Sequence, residues 1–324
     1  KMNLENERID VTLTTRDANL QSLAYVFGWP DSLAGQLKGS VDLTGYLRDP
    51  SVKGILTLSD GVFGSTTVSS LNASFLINSL IENRNGSLRA VAADGKMLGY
   101  AVEKGSVDLY FRGDTVMIAS VRLDGEDNYL QTSGKIIGTS SLIVDQLQAS
   151  LRDQYLSIAE KVVIHRENDG LVIEPATIHI NDGSIQGSIL IREGTVQAGK
   201  MHAVNLNLES VERLFKMDFP ITGAAFVKLE IRSENGDLVV DGTLDIKDGQ
   251  WNEIPFSDLS ITGDLRENQI SIREMKMSGA DGMTMELSGY LGSVLEEGGI
   301  LNIDPEGDIE FSSEFRNLDL VLLA

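Results

Sequence analysis

Residues 19–71 of this chain align without a gap on residues 207–259, an offset of 188. Asn19/Asn207, Leu20/Leu208 and Ser22/Ser210 open the match. Phe27/Phe215, Gly35/Gly223, Gly54/Gly242, Leu56/Leu244, Asp60/Asp248, Gly61/Gly249, Ser69/Ser257 and Leu71/Leu259 continue it. Asn317 and Leu318 stand where Asn19 and Leu20 stand, so a third copy is expected to begin near Ile309. A chain that repeats in this way reads as a piece of a longer, quasi-one-dimensional array, which offers a continuous surface rather than one compact active site. Copy one is expected over about 11–123, further strands over about 124–198, copy two over about 199–292 and the start of copy three over about 309–324. No Pro-rich or Ser-rich linker marks off globular domains, so one elongated array is expected.

The dominant period is two. Val41-Asp42-Leu43, Val107-Asp108-Leu109, Val121-Arg122-Leu123, Ile178-His179-Ile180, Leu229-Glu230-Ile231, Leu244-Asp245-Ile246, Ile270-Ser271-Ile272 and Ile309-Glu310-Phe311 each put aliphatic side chains on one side and polar ones on the other. That is the pattern of a half-buried antiparallel strand. Asp-Gly pairs at 60, 94, 124, 169, 182, 241, 248 and 281, and Asn-Gly at 85 and 235, favour tight turns. Asp241-Gly242 and Asp248-Gly249 are too close together to be separate hairpin tips, so some pairs must be strand ends or bulges. The expected fold is all-β, a long curled antiparallel meander of roughly 20 short strands. Strongly twisted sheets of more than about ten strands curl or split. Alternation alone leaves a trough, a solenoid and packed sandwiches all open.

Two segments depart from this period. Leu20, Leu23, Val26 and Phe27, and in the second copy Leu208, Val211, Leu214 and Phe215, have helical spacing. Asn19 and Asn207 are suited to N-caps, and Pro30 and Pro220 follow where each helix should have ended. Each repeat is therefore expected to carry one short amphipathic helix packed on, or plugging, the sheet. Residues 140–160 fit either strand–loop–strand or a helix over 146–159, and strands are favoured.

Little in the chain carries chemistry. It has no cysteine, which excludes disulfides, thiolate metal sites and cysteine catalysis. His165, His179 and His202 are not at metal-ligand spacings, and His179, between two isoleucines, should face the polar side. No zincin, hydrolase-elbow, dinucleotide or phosphate-loop motif occurs. Close carboxylates such as Asp245 and Asp248, or Glu296 and Glu297, are unremarkable in a chain this acidic. Asn168-Asp169-Gly170 and Asn181-Asp182-Gly183 lack the series of a calcium roll or an EF-hand, and read as turns. Trp29 and Trp251 read as packing at a helix end and a hairpin end. No enzyme activity, cofactor or metal is expected. The net charge of −21 disfavours nucleic acid and anionic membrane surfaces as direct partners. No run approaches the ~18 apolar residues of a membrane-spanning helix, and Lys1-Met2-Asn3-Leu4-Glu5 does not open a signal peptide.

What remains is an aliphatic stripe. Val41, Leu43, Leu56, Leu58, Val107, Leu109, Ile178, Ile180, Ile185, Ile189, Val227, Leu229, Ile231, Val240, Leu244 and Ile246 are expected on one side of the sheet. They suit a dry core between two layers. They suit equally an open groove for acyl chains, since each buried methylene contributes about 0.8 kcal/mol and a uniform lining lets a chain slide. A regular β-helix fits less well, because no coil period of about 20 residues recurs.

Residues 33–61, LAGQLKGSVDLTGYLRDPSVKGILTLSDG, resemble the repeats of the TamB family, the translocation and assembly module proteins, and of the wider AsmA-like group. The anchors are Gly35, Gly45, Pro50, Gly54, Asp60 and Gly61; the second copy keeps Gly223, Gly242, Asp248 and Gly249 but has Ser233 and Leu238 in place of Gly45 and Pro50. The tracts 256–261, 270–272, 279–282, 287–289, 170–173 and 183–187 are similar to that family too. The resemblance implies the middle segment of a taco-shaped, bridge-like lipid transfer protein whose concave apolar face holds phospholipid chains. It implies a periplasmic location in a diderm bacterium, inner-membrane anchorage through an N-terminal helix, and phospholipids as the cargo. An outer-membrane β-barrel protein is the second partner it implies, through roles in outer-membrane biogenesis. The sixteen aliphatics above would be the lining. The alternative is a periplasmic spacer or scaffold of the same architecture, with a closed core, that offers sheet edges to folding outer-membrane proteins.

Overall fold

The computed structural model describes residues 7–27, 32–97, 100–215, 220–234, 237–252, 254–266, 269–279, 282–295, 301–303 and 309–316. Trp29, Pro30, the Asn235-Gly236 pair, Asp281, Glu296, Glu297, Asn317 and Leu318 lie outside the described residues, as does the 1–5 segment. The chain forms two compact units, residues 1–153 and 154–324.

The first unit contains β1 (Arg8–Asn19), α1 (Leu20–Phe27), β2 (Leu33–Tyr46), β3 (Asp49–Phe63), β4 (Thr66–Asn78), β5 (Asn85–Met97), β6 (Tyr100–Arg112), β7 (Thr115–Asp124), β8 (Tyr129–Ile137) and β9 (Ser141–Leu151). Each strand pairs antiparallel with the next. The second unit contains β10 (Gln154–Ile158), β11 (Val162–Glu167), β12 (Gly170–Ile180), β13 (Gly183–Arg192), β14 (Thr195–Asn207), α2 (Leu208–Phe215), β15 (Ile221–Glu234), β16 (Asp237–Trp251), β17 (Ile254–Arg266), β18 (Gln269–Gly279), β19 (Thr284–Leu295), β20 (Leu301–Ile303) and β21 (Ile309–Arg316). It too is an antiparallel meander. β10 and β11 lie end to end along β12, and β20 and β21 both pair with β19. The all-β antiparallel meander with two short helices is thus the observed fold, and 141–158 forms strands, not a helix.

The sequence repeat is a structural repeat, to the residue. Shifting α1, β2, β3 and β4 by 188 gives the bounds of α2, β15, β16 and β17. The shared letters explain why. The Asn19 and Asn207 side chains accept from the backbone amides of Ser22 (3.0 Å) and Ser210 (2.8 Å), so each helix begins on a side-chain cap. Gly35 faces the pair Asp60-Gly61, and Gly223 faces Asp248-Gly249; two residues oppose one, which is a β-bulge. Asp60 and Asp248 each have φ 51°, a left-handed conformation that Asp tolerates better than most residues.

This revises the turn reading of several Asp-Gly pairs. Asp60-Gly61, Asp94-Gly95, Asp241-Gly242 and Asp248-Gly249 lie inside strands. Asn168-Asp169 and Asn181-Asp182 do form tips, with Asn168 and Asn181 at φ 52° and 50°. The first tip of copy one is instead Leu47-Arg48, which no turn motif announced.

Candidate binding face

Cross-strand register fixes which side chains share a face. In the first unit Val41, Gly54, Phe75, Leu88 and Leu109 form one row, and Leu43, Val52, Ile77, Gly86 and Phe111 the next. Gly39, Leu56, Ala73, Ala90 and Val107 form a third. The six stripe residues of this unit therefore lie on one face. The ten of the second unit do likewise. Ile185, Ala203, Val227, Leu244 and Ile261 form one row; Ile189, Gly199, Ile231, Val240 and Leu265 form another; Leu229 faces Gly242 between them. Ile178 joins through Ile185, and Ile180 lies two residues beyond it, on the same face of β12. Ala225 pairs with Ile246 at the α2 end of the strands.

The face is apolar but largely uncovered. Leu43, Leu56, Val107, Leu109, Ile185, Leu229 and Leu244 are only half-buried, and Ile178 is 36% exposed. Two packed layers would bury such residues almost completely. The exceptions cluster where the helices sit. Leu58, Ile180 and Ile246 are 3%, 4% and 1% exposed. α2 packs on β10, β14 and β15, with Leu214 buried, and a methionine patch of Met275, Met277, Met283 and Met285 is buried at the same ends of the strands. In the first unit Leu20, at the start of α1, is buried likewise. In each unit the face is closed at its helix-bearing end and open elsewhere. Leu58, Ile180 and Ile246 belong to the closed part, so they are core, while the other thirteen stripe residues lie on the accessible part. Simple alternation missed Phe75, Leu88, Phe111, Met201 and Ile261, because glycines and alanines interrupt the aliphatic runs around several of them.

A polar brace anchors α2. The Asn181 side-chain amide donates to Gln154 Oε1 (2.7 Å) and Ser210 Oγ (3.2 Å), and its oxygen accepts from the Tyr155 backbone amide (2.9 Å). Gln154 and Ser210 are both buried, so each must find such partners.

The opposite face is polar and cross-braced. Lys200, Glu230, Asp241 and Asp264 form a row, with Lys200 3.2 Å from Glu230. Asp241 accepts from Arg232 (2.5 Å) and Arg273 (2.9 Å), and Asp264 from Arg273 (2.9 Å) and Arg266 (3.1 Å). The Arg232 hydrogen bond, helped by the Arg266 charge, holds Asp241 below the usual carboxylate range. A depression of 650 Å³ lies on this face, walled by the rows Gln186–His202–Lys228–Thr243 and Ser188–Lys200–Glu230–Asp241 and floored by backbone. Most of its charges are paired internally, so it presents no concentrated charge to a ligand. His179 shares this polar side, as expected from its isoleucine neighbours.

Protein-family models, curated proteins and solved structures contain no match to this chain.

Proposed function

We propose that the protein binds the hydrocarbon chains of phospholipids along the open apolar face, as a periplasmic bridge-like conduit between the membranes of a diderm bacterium. One observation carries this reading: in each unit, row after row of aliphatic side chains lies on one face, left half-exposed except beside the helix. Soluble proteins rarely leave contiguous apolar patches above a few hundred Å² exposed unless the patch binds something. A chain of about 14 methylenes contributes on the order of 10 kcal/mol when withdrawn from water, before the cost of ordering it. No polar side chain interrupts the central rows, so the lining offers extended hydrocarbon little resistance to sliding. The resemblance of residues 33–61 to the TamB-like repeats supports the phospholipid cargo and the envelope location. The alternative, a scaffold with a closed core, draws support from the packed patch under α2, but that patch reaches only one end of the face.

The test is a titration with a phospholipid whose acyl chain carries a polarity-sensitive fluorophore. Saturable blue-shifted fluorescence, competed by unlabelled phospholipid and abolished by Leu244→Lys in a folded variant, is the expected result. An unshifted spectrum would contradict the reading.

A further inference from the structure

The charge of this chain is unevenly divided. Residues 1–153 hold 14 Lys and Arg against 18 Asp and Glu, a net −4; residues 154–324 hold 13 against 30, a net −17. On the polar face of the first unit the sign reverses. One cross-strand row there runs Lys53, Leu76, Ser87, Tyr110, Met117, Lys135 from β3 to β8. Its two lysines stand about 24 Å apart, five strand spacings. Leu76, Tyr110 and Met117 are 45%, 48% and 36% exposed, and Ile55 in the neighbouring row is 62% exposed. Arg112 stands in the row on the other side. Arg89 and Asp108, in the Ile55 row, pair with each other at 2.6 Å. Lys53, Arg112 and Lys135 form no ion pair among the described residues. Asp42 lies across from Lys53 but is hydrogen-bonded by the Thr12 hydroxyl at 2.7 Å.

The fold does not require this row. The same frame 188 residues on puts Asp241 at the place of Lys53, Thr243 at that of Ile55 and Asp264 at that of Leu76. Those two aspartates are braced by Arg232, Arg266 and Arg273. Outward aliphatics beside unpaired cations are therefore particular to copy one.

We propose that this face docks the first unit on an anionic lipid bilayer. Ile55, Leu76, Tyr110 and Met117 enter the headgroup level, and Lys53, Arg112 and Lys135 meet the phosphates. The surface lies on the opposite side of the strands from the acyl-chain face, so it goes beyond the proposed groove and does not rest on it. Aliphatic and phenolic groups between lysines suit the boundary of acyl chains and headgroups, because each lysine stem lies along apolar neighbours while its ammonium reaches the charge. A stable protein interface takes roughly 20 residues a side. Four apolar anchors are too few for that, but at a lipid surface each inserted group and each cation contributes separately. The net charge of −21 does not oppose the contact. At physiological salt charges are screened over about 8 Å, so the cations of this face outweigh distant carboxylates.

The experiment sediments the whole chain with vesicles of phosphatidylglycerol and phosphatidylcholine, or of phosphatidylcholine alone, at physiological salt. Binding to the mixed vesicles, absent with pure phosphatidylcholine and weakened by added salt, is the expected result. Lys53→Gln combined with Lys135→Gln should lower that affinity about 25-fold, since each cation at an anionic surface contributes about fivefold. Leu76→Asp, which copies the second repeat, should also lower it while keeping the fold, as circular dichroism checks. These variants should still take up the fluorescent phospholipid, which reports on the groove independently, and Leu244→Lys should still bind vesicles. Vesicle binding that survives the outward variants but is lost with Leu244→Lys would overturn the docking surface and leave the groove standing. No binding to the mixed vesicles would overturn it as well, in favour of an acidic protein partner for the exposed row.

Discussion

Gly223 and Ile246 approach so closely that a Cβ on the glycine would meet Ile246 Cγ2 at 2.8 Å, and Gly35 meets Leu58 Cδ1 at the same 2.8 Å in the first repeat. Both glycines also have backbone angles that side chains rarely adopt, φ 127° and 132°. The glycine is what lets a bulge turn a buried aliphatic residue into the closed end of the face. Gly223→Ala should therefore destabilise by about 2–3 kcal/mol, combining strain with overpacking. Chemical unfolding measures this; a loss below about 0.5 kcal/mol, the range of neutral surface changes, would refute the role given to this glycine.

The face has a closed and an open part, and charge distinguishes them. Ile246→Lys places an unpaired ammonium at a site that is 1% exposed and should unfold the second unit. Leu43→Glu and Leu244→Lys fall on half-buried positions and should leave the fold intact while removing acyl-chain binding. Circular dichroism melts, paired with the fluorescent titration, separate the two classes. Unfolding by Leu244→Lys would mean that the middle of the face is core.

Helix capping gives a smaller, local effect. Asn207→Ala removes the acceptor for the Ser210 amide and should cost about 1 kcal/mol. Because α2 covers the closed end, amide hydrogen exchange in β15 beside it should quicken with the helix. Exchange that changes only within the helix would show that α2 does not hold the sheet.

Acid should loosen the polar face. Asp241 is held below the usual carboxylate range chiefly by the Arg232 hydrogen bond. Asp49 is lowered chiefly by the Ser79 hydroxyl, then by the Ile81 amide, and so latches residues 79–82 to the start of β3. A depressed folded pKa gives stability that is fully present above the unfolded carboxylate value of about 3.9 and is lost as pH falls through the folded value. Melting temperature should therefore hold down to about pH 4 and drop below it. Asp241→Asn should flatten that acid limb. An acid limb identical to that of the unaltered chain would remove Asp241 from the account.

Much of this was legible in the sequence, for physical reasons that can be named. Alternation at Val41-Asp42-Leu43 or Leu244-Asp245-Ile246 reports a two-sided environment, which any half-buried strand must satisfy. Asn19 and Asn207 announced the helices because few other side chains satisfy a helix N-terminus. Asp60-Gly61 was harder, since positive φ serves a hairpin tip and a bulge equally, and only the opposing Gly35 decides. Which strands α2 covers depends on where the helix lands, on β10, β14 and β15, which no local pattern encodes.

The most direct measurement is lipid mass spectrometry on the purified chain, with Leu43→Glu and Leu244→Lys prepared alongside. Phospholipid is expected to copurify at one or more molecules per chain and to fall away in both charged variants. A lipid-free unaltered protein that unfolds cooperatively and takes up no added phospholipid would contradict it.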